Sequence, residues 1–385
     1  MWYFLFRLGF AVIFVGLHCA LMIGLFLEWR HNQRLREKGR QQQAQAGSVR
    51  PRVSVIVPVR NEDHCLAGLL QSLVLQDYAE AEYIFVDDRS SDNSASLLRD
   101  FAAGSHGASV RLITLTENPG PNHKQYALSR GIELASGDFF LFTDADCVVP
   151  RGWVSAMLER MSDEQVGAFI GPVFKNPAGS GFFQLYQCFD HAIRYMYLAG
   201  STGIGAAGGG FGNNLILRAA ALKHIGGYDA VPPSPTEDAA LVSRLRSHSE
   251  YQVRAAIGAD THVLTRKETS WRAFVNQTLR WNNGGLFSPD PITRFNFGFL
   301  MITISMGILA LPALFAFPSL WPLSAAVLFS MTMDSVATLR LFGQSLPQKG
   351  IAYIVQTIFT PIYFTFLTIL GFCRVKVTWK DSRIS

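Results

Sequence analysis

The sequence is poor in charged residues and in cysteine. Asp, Glu, Lys and Arg make up 16% of its 385 residues, against about 25% in a typical soluble domain, while the apolar fraction is ordinary. Its five cysteines show no zinc-binding or thioredoxin-like spacing. The composition also excludes a disordered chain and a small disulfide scaffold. The scarcity of charge directs attention to the long apolar runs.

Four apolar runs are each long enough to span a bilayer core as a helix. The first covers residues 8–27 and contains His18 as its one ionisable group. The other three cover residues 297–317, 320–339 and 351–373. Cations follow the first run, whereas a cleavable signal peptide carries them before its apolar core. We therefore interpret the first run as an uncleaved anchor.

The net charge of +5 is concentrated beside these runs. Residues 30–52 hold seven cations and one anion, and residues 374–385 hold four cations and one anion. The positive-inside rule then predicts that the segment after the anchor is cytoplasmic. Three further full spans would place the basic tail outside, so a last run that re-enters near Pro361 remains an alternative. Asp334, within the third run, is either a functional carboxylate or a solvated one near the end of its helix.

The chain is predicted to have five parts. These are a transmembrane anchor (1–29), a basic cytoplasmic linker (30–52), an α/β domain (53–294), C-terminal transmembrane or interfacial helices (295–373) and a basic tail (374–385). Within the α/β domain, strands at 53–57, 83–86, 110–115 and 139–142 alternate with helices at 65–75, 94–101 and 124–134. The first strand is predicted to end at Pro58. Such alternation predicts a parallel, helix-covered sheet.

Acidic residues follow two of the predicted strands. Asp87 and Asp88 come after the second strand, and Asp144 and Asp146 come after the fourth. Ligands of such sheets bind at the carboxyl ends of the strands, and an Asp-x-Asp pair can hold a hard divalent cation through oxygen atoms. Helix capping is the simpler alternative.

Residues 236–238 (Thr-Glu-Asp) precede a helical apolar pattern. Thr236 could cap that helix. Alternatively, Asp238 could serve as a general base that deprotonates a hydroxyl nucleophile.

A third motif, Gln277-Thr-Leu-Arg280-Trp281, ends an amphipathic segment that begins at Trp271. Arg and Trp are common at membrane interfaces. Alternatively, Arg280 could bind diphosphate oxygens, and Trp281 could stack on a sugar or a lipid headgroup.

Glycines are frequent between residues 200 and 212. Residues 203–208 match the pattern G-x-G-x-x-G, but no strand precedes them, so a dinucleotide-binding turn is rejected. A flexible loop is expected, either at an acceptor entrance or as a plain linker.

Together these residues resemble the membrane-bound family 2 glycosyltransferases with a GT-A fold. The resemblance covers about residues 50–285 and includes the D, DxD, TED and QxxRW motifs. It implies an α/β, Rossmann-like mixed sheet covered by helices, with transmembrane helices at both ends.

The resemblance also implies roles for individual residues. Asp238 would be the catalytic base, and Asp144 and Asp146 would hold Mg²⁺ or Mn²⁺. The nucleotide sugar would be bound by Pro58, Asn61, Glu62, Asp87, Asp88, Lys124 and Asp144. The diphosphate and the acceptor would be bound by Glu237, Gln277, Arg280 and Trp281.

The implied reaction is an inverting, metal-dependent transfer of a sugar from a nucleotide diphosphate, with a UDP-sugar expected. A membrane lipid is the expected acceptor, in part because aromatic residues between 182 and 197 suggest an interfacial helix; an ordinary core helix is the alternative. The catalytic domain is expected on the cytoplasmic side of a bacterial inner membrane. A processive polysaccharide synthase remains an alternative, as does a non-catalytic membrane subunit or a small transporter. Nucleic-acid binding is not expected, because the cations form no aromatic-interleaved patch.

Overall fold

The computed structural model describes residues 2–44, 50–104, 109–117, 122–234, 236–343, 346–347, 350–379 and 382–384. The chain forms two compact units. The helical unit contains Met1–Leu27, Pro177–Gly208 and Lys267–Ser385, and the sheet unit contains Glu28–Asn176 and Gly209–Arg266. The units therefore interleave along the chain, whereas the predicted domains follow one another in sequence.

The helices, in chain order, are α1 (Trp2–Ala44), α2 (Asp63–Val74), α3 (Ser94–Ala103), α4 (His123–Leu134), α5 (Trp153–Glu159), α6 (Phe182–Gly203), α7 (Ala219–His224), α8 (Glu237–His248), α9 (Trp271–Leu286), α10 (Pro291–Ala313), α11 (Trp321–Phe342) and α12 (Ile351–Phe372). Short 3₁₀ turns cover Tyr228–Ala230, Ala259–Thr261 and Pro318–Leu320.

The strands are β1 (Val53–Val59), β2 (Ala81–Asp87), β3 (Ser109–Thr114), β4 (Phe139–Phe142), β5 (Cys147–Val148), β6 (Val166–Ile170), β7 (Val173–Lys175), β8 (Leu215–Arg218), β9 (Gln252–Ala255), β10 (Val263–Thr265), β11 (Val377–Trp379) and β12 (Ser382–Ile384). The four strands predicted first in the chain are present, with ends that differ by up to two residues.

The sheet unit is built on a mixed seven-stranded sheet in the order β3-β2-β1-β4-β8-β6-β9. Strands β3, β2, β1 and β4 are parallel, and β8 runs antiparallel to both β4 and β6. A second sheet has the order β5-β10-β7. Apolar strand residues such as Val55, Phe85 and Leu141 are fully buried against helices, which gives the unit one continuous core. The predicted α/β fold class is confirmed.

Strand β1 continues through Pro58, where the sequence predicted its end. The β4 partner of β1 reaches only as far as Ile56, so Pro58 pairs with β2 alone, opposite Val86. A proline lacks the N–H that a central strand position needs. Among the described residues, no strand pairs with β1 at Pro58 on the side of β4, so the proline is tolerated.

Helix α1 extends far beyond the apolar run and replaces most of the predicted linker. It continues to Ala44, and its later part belongs to the sheet unit. Asn32 is buried there and donates to the Ala255 carbonyl oxygen at 2.8 Å. The Glu28 carboxylate, also buried, lies 3.2 Å from the Arg254 guanidinium. The basic stretch forms a helix because its Arg, Lys, Glu and Gln residues have good helix propensity.

Four helices have the length and apolar composition needed to cross a membrane: Leu8–Gln42, Pro291–Ala313, Pro318–Phe342 and Ile351–Phe372. Helix α12 is continuous through Pro361 and extends about 33 Å at about 1.5 Å per residue. Many large apolar side chains of the last three helices point outward, among them Phe295, Leu309 and Ile354. Outward apolar faces are typical of helices in contact with lipid.

Asp334 is buried inside the helical unit, with 1% of its surface exposed, so solvation near the helix end is excluded. Its Oδ2 lies 3.3 Å from His18 Nε2 and accepts a hydrogen bond from the Tyr197 hydroxyl at 2.6 Å. His18 Nδ1 lies 3.1 Å from the Phe14 carbonyl oxygen. These contacts join α1, α6 and α11 through one buried carboxylate.

Candidate active site

The acidic residues singled out in the sequence lie at one edge of the large sheet. Strand β1 runs parallel to β2 and β4, with Val59 opposite Asp87 and Ile56 opposite Phe142. The carboxyl ends of these three strands are therefore adjacent. Asp144 lies two residues after the end of β4, so the two acidic clusters follow strands that flank β1 on either side.

Asp87 and Asp88 are almost completely buried and are already engaged within the protein. Asp87 accepts a hydrogen bond from the Ser90 backbone N–H at 3.2 Å. Asp88 binds Arg60 through one oxygen (3.0 Å) and Arg89 through the other (2.7–2.8 Å). Arg89 has a φ of 58°, an uncommon backbone conformation for a side-chain-bearing residue. Asp88 therefore anchors two arginines that the sequence patterns did not indicate as site residues.

Asn61 and Glu62 link the loop after β1 to the loop after β2. The Asn61 side-chain oxygen accepts from the Ser91 N–H at 2.8 Å. The Glu62 backbone N–H donates to the Ser94 hydroxyl oxygen at 2.9 Å. These bonds hold the two loops together, while nucleotide binding by Pro58, Asn61 and Glu62 stays a prediction.

Lys124, on α4, joins the second acidic cluster to the Thr-Glu-Asp motif. Its ammonium nitrogen lies 2.8 Å from one Asp144 oxygen, 3.0 Å from the other, and 3.2 Å from Glu237 Oε1. Burial would lower the pKa of Lys124, but the charges of Asp144 and Glu237, with a contribution from Asp238, raise that pKa above its usual value. Lys124 thus stays charged and gathers carboxylates that are far apart in sequence.

Asp146 has a partner that no sequence signal indicated. Its Oδ2 accepts a hydrogen bond at 2.8 Å from the hydroxyl of Thr265, at the end of β10. Burial raises the pKa of Asp146, and the neighbouring Asp144 charge adds to this effect. Thr265 lies 119 residues from Asp146 along the chain, so only the folded structure brings the two together.

The donor atoms at this edge suit a hard divalent cation. Asp144, Asp146 and Thr265 supply carboxylate and hydroxyl oxygens, which are the ligands that Mg²⁺ and Mn²⁺ prefer. Lys124 contacts both oxygens of Asp144, but a carboxylate has about four acceptor positions, so Lys124 does not use all of them.

A second group of ligand atoms lies nearby but has different chemistry. Side-chain atoms of Glu62, His64 and Cys65 lie within 4.8 Å of one another. Burial and the Glu62 carboxylate raise the pKa of the Cys65 thiol to about 12, and the thiol donates to Glu62 Oε2 at 3.1 Å. Thiol and imidazole ligands suit softer metals than Mg²⁺, so this group differs in chemistry from the oxygen ligands of Asp144, Asp146 and Thr265.

Asp238 is held by the end of the glycine-rich segment. Its Oδ2 accepts from the Gly212 N–H, and its Oδ1 accepts from the Ala239 N–H, both at 2.8 Å. A Cβ at Gly210 would lie 2.8 Å from the Asp238 Cβ. The glycines therefore allow the backbone to approach the candidate base closely. Thr236 makes no capping bond with any described residue, which removes the simpler explanation of the motif.

Gln277, Arg280 and Trp281 lie on α9 in the helical unit and are partly buried. The ring of Trp281 is 5.3 Å from the ring of His191 and 5.9 Å from the Arg194 guanidinium carbon, both on α6. Binding of a diphosphate or an acceptor by this motif stays a prediction.

Helix α6 is a core helix rather than the interfacial helix that its aromatic residues suggested. Tyr186, Phe189, Tyr195 and Met196 are each 0% exposed, whereas Phe183 and Tyr197 are partly buried and Phe182, at the start of the helix, is exposed. Tyr186 packs against the rings of Phe274, Phe359 and Tyr363 at 4.8–6.0 Å. The aromatic stretch is explained by packing within the helical unit, so it carries no argument for a lipid acceptor.

Comparison with known proteins supplies an independent line of inference. A family model described as "Glycosyl transferase family 21" matches residues 10–385, nearly the whole chain. The match confirms the prediction of a glycosyltransferase, with the family numbered 21 where the motifs indicated family 2.

Two curated relatives differ in what they are said to make. The chain is 28% identical over 243 residues to the poly-beta-1,6-N-acetyl-D-glucosamine synthase of Staphylococcus epidermidis, covering 60% of this chain and 54% of the synthase. It is 37% identical over 111 residues to the undecaprenyl-phosphate 4-deoxy-4-formamido-L-arabinose transferase of Pseudomonas fluorescens, covering 28% of this chain and 31% of that protein. The chain thus spans about half or less of these relatives.

A solved structure shares the fold. The mannosyltransferase PcManGT from Pyrobaculum calidifontis, determined with GDP-Man and Mn²⁺, superposes with a TM-score of 0.53. The alignment covers 93% of this chain and 99% of that one at 16% sequence identity. At that identity the likeness concerns the fold alone, and it agrees with the predicted GT-A type.

Proposed function

The chain belongs to glycosyl transferase family 21, and we propose that it transfers a sugar from a nucleotide diphosphate to a hydroxyl group of a membrane lipid, with inversion at the anomeric carbon. The observation that carries the proposal is the meeting of Asp144 and Glu237 on Lys124, with Asp238 beside them. This arrangement joins the DxD and TED motifs at the edge where α/β sheets bind ligands.

Asp238 is the proposed general base. Two backbone N–H groups fix its carboxylate, and the remaining acceptor positions can receive a proton from the acceptor hydroxyl. As the proton moves to Asp238, the acceptor oxygen forms a bond to the anomeric carbon, and the bond to the diphosphate oxygen breaks on the opposite face. The electron pair of that bond leaves with the nucleoside diphosphate, so a single displacement inverts the configuration.

Asp144 and Asp146 are the residues proposed to hold Mg²⁺ or Mn²⁺, with Thr265 orienting Asp146. When bound, the cation neutralises negative charge on the leaving diphosphate. Lys124 balances Asp144 and Glu237 and holds them in place. The contribution of Asp87, Asp88, Pro58, Asn61 and Glu62 to base and ribose binding, and of Gln277, Arg280 and Trp281 to diphosphate and acceptor binding, remains part of the proposal.

A lipid acceptor is supported by the helical unit, where four helices can span a membrane and apolar side chains point outward. The relative named as an undecaprenyl-phosphate sugar transferase supports it too. We place the sheet unit on the cytoplasmic side, as the basic residues after the first apolar run suggest. A processive synthase is the second candidate, favoured by the relative named as a poly-N-acetylglucosamine synthase.

The test uses the full chain in mixed micelles with Mn²⁺, radiolabelled UDP-glucose, UDP-N-acetylglucosamine or GDP-mannose, and a lipid with a free hydroxyl group: diacylglycerol, ceramide or a polyprenol. We expect one donor and one lipid to give a product with a single added sugar of inverted configuration. Asp238→Asn should bind the donor normally and lose transfer. Asp229→Asn is the matched control, because Asp229 bonds only the Ser129 hydroxyl among the described hydrogen bonds of its side chain.

Three results would contradict parts of the proposal. Polymer longer than one sugar would favour the synthase. Full turnover by Asp238→Asn would remove the base assignment. Absence of donor binding by the wild-type chain would favour a non-catalytic membrane subunit.

A further inference from the structure

A buried charge pair lies on α6 next to the tryptophan of the QxxRW motif. The Arg194 Nε donates to Asp190 Oδ2 at 2.7 Å, and the Asp190 side chain is 0% exposed. The guanidinium carbon of Arg194 lies 4.8 Å from the ring centre of Phe364 and 5.9 Å from that of Trp281. All four residues belong to the helical unit.

The pair is an inefficient way to stabilise the helical unit. Removing two charges from water costs free energy that their attraction recovers only when every polar atom is satisfied. Here Asp190 Oδ1 and Arg194 Nη2 form no hydrogen bond with any described residue. A pair of apolar side chains of similar volume would pack at this site with equal or better stability. The charge pair therefore needs an explanation other than stability.

The geometry supplies that explanation. A guanidinium within about 6 Å of an indole ring attracts it, and the attraction is strongest when both are shielded from water. Asp190 fixes the guanidinium, Phe364 covers it, and the Trp281 ring rests beside it, with the His191 ring at 79° as a further neighbour. Rotating Trp281 away would remove one of the two aromatic rings that face the guanidinium, so the pair favours one indole orientation.

We propose that Arg194, anchored by Asp190, is a positioning residue for Trp281 and thereby sets the affinity for the acceptor. This inference rests on the proposed role of Trp281 at the acceptor. A cation–π contact of about 1–2 kcal/mol corresponds to about a 5- to 30-fold change in an equilibrium constant. Loss of Arg194 should therefore raise the acceptor KM by about 5- to 30-fold while kcat and the donor KM change little.

The decisive variant replaces the pair as a whole. Asp190→Leu combined with Arg194→Met should unfold at the same temperature as the wild type or higher, yet show the raised acceptor KM. Arg194→Lys keeps the positive charge and should recover part of the affinity. Lys267→Met is the control, because it removes a helical-unit cation that binds the Ala178 carbonyl oxygen.

The orientation of Trp281 can be read without any acceptor. The full chain, labelled with 5-fluorotryptophan in micelles, should give up to seven ¹⁹F resonances for its seven tryptophans, and Trp281→Phe identifies the one of interest. We expect that resonance to move in Arg194→Met and in the double variant, and to stay in Lys267→Met. An unchanged Trp281 resonance, or one that moves equally in the control, would overturn the inference.

The kinetic cycle separates this inference from the proposed function. In a Trp281→Phe background, Arg194→Met should cause no further rise in the acceptor KM, because both changes remove the same contact. If Trp281→Phe alone leaves the acceptor KM unchanged, the proposed role of Trp281 fails. If Trp281→Phe raises it and Arg194→Met does not, the positioning inference fails.

Discussion

Replacing Lys124 by methionine tests whether this residue holds the candidate site together. The change leaves Asp144 and Glu237 without their shared cation. Side-chain exposures are 17% for Lys124, 29% for Asp144 and 8% for Glu237. Removing one partner of a buried pair costs about 3–5 kcal/mol, and partial exposure of Asp144 places the expected loss at about 3 kcal/mol.

That loss converts to a measurable temperature shift. In a unit of about 200 residues, 1 kcal/mol corresponds to about 2–4 °C, so the sheet unit should unfold about 6–12 °C earlier. Cys147 is buried in this unit. Its labelling by a thiol reagent on heating, measured by peptide mass spectrometry on the full chain, reports unfolding of this unit.

Two comparisons make the result decisive. Arg130→Met, on the same helix, breaks the exposed Arg130–Glu133 pair and should not shift the labelling temperature. Adding Glu237→Gln to Lys124→Met removes one negative charge that no longer has a positive partner, so part of the lost stability should be restored. The reasoning would be refuted if Lys124→Met unfolded at the same temperature as the wild type, or if the unfolding temperature of the Arg130→Met control fell by the same amount.

Three further changes follow from the same geometry. Gly210→Ala places a methyl group against Asp238, so kcat should fall at least about tenfold with donor binding intact. An unchanged kcat would show that the backbone at Gly210 shifts to accommodate the methyl group. Thr265→Val removes the hydrogen bond to Asp146, and the Mn²⁺ concentration for half-maximal donor binding should rise about tenfold; equal Mn²⁺ curves would exclude this role. Burial lowers the pKa of His262 to about 4. As the pH falls, this histidine is therefore protonated in the unfolded chain before it is protonated in the folded chain. The free energy of unfolding of the sheet unit should then fall by about 3 kcal/mol between pH 6.5 and pH 4. Chemical unfolding of a His262→Phe variant should show a smaller fall over the same pH range.

Sequence patterns predicted the elements whose causes are local. Strands β1 to β4 were predicted from short apolar runs. The acidic residues at the ends of β2 and β4 were identified because they come soon after those runs in the sequence. The convergence of Asp144 and Glu237 on Lys124 was not predicted, because spacing along the chain could not show their distances.

Other features depend on contacts distant in sequence and were therefore missed or misjudged. Thr265 has no motif around it, and only the pairing of β10 with β5 and β7 brings it to Asp146. The basic stretch after the anchor looked like a linker because its composition is polar. It is helical and buries Asn32 against a strand that lies more than 200 residues away. The aromatic residues of α6 looked interfacial because composition does not distinguish a buried face from a lipid-facing one.

The contact between His18 and Asp334 has a consequence for biosynthesis. A carbonyl oxygen only accepts hydrogen bonds, so the neighbouring Nδ1 of His18 carries a hydrogen. The Nε2 of His18 faces the Asp334 carboxylate at 3.3 Å, so each of these polar side chains has a polar partner inside the helical unit. A pair of this kind can reside in lipid at a lower cost than either ion alone. Asp334 lies 316 positions after His18, so α1 is synthesised well before α11 supplies the partner of its polar side chain. This contact within the helical unit is therefore made only after α11 has been synthesised.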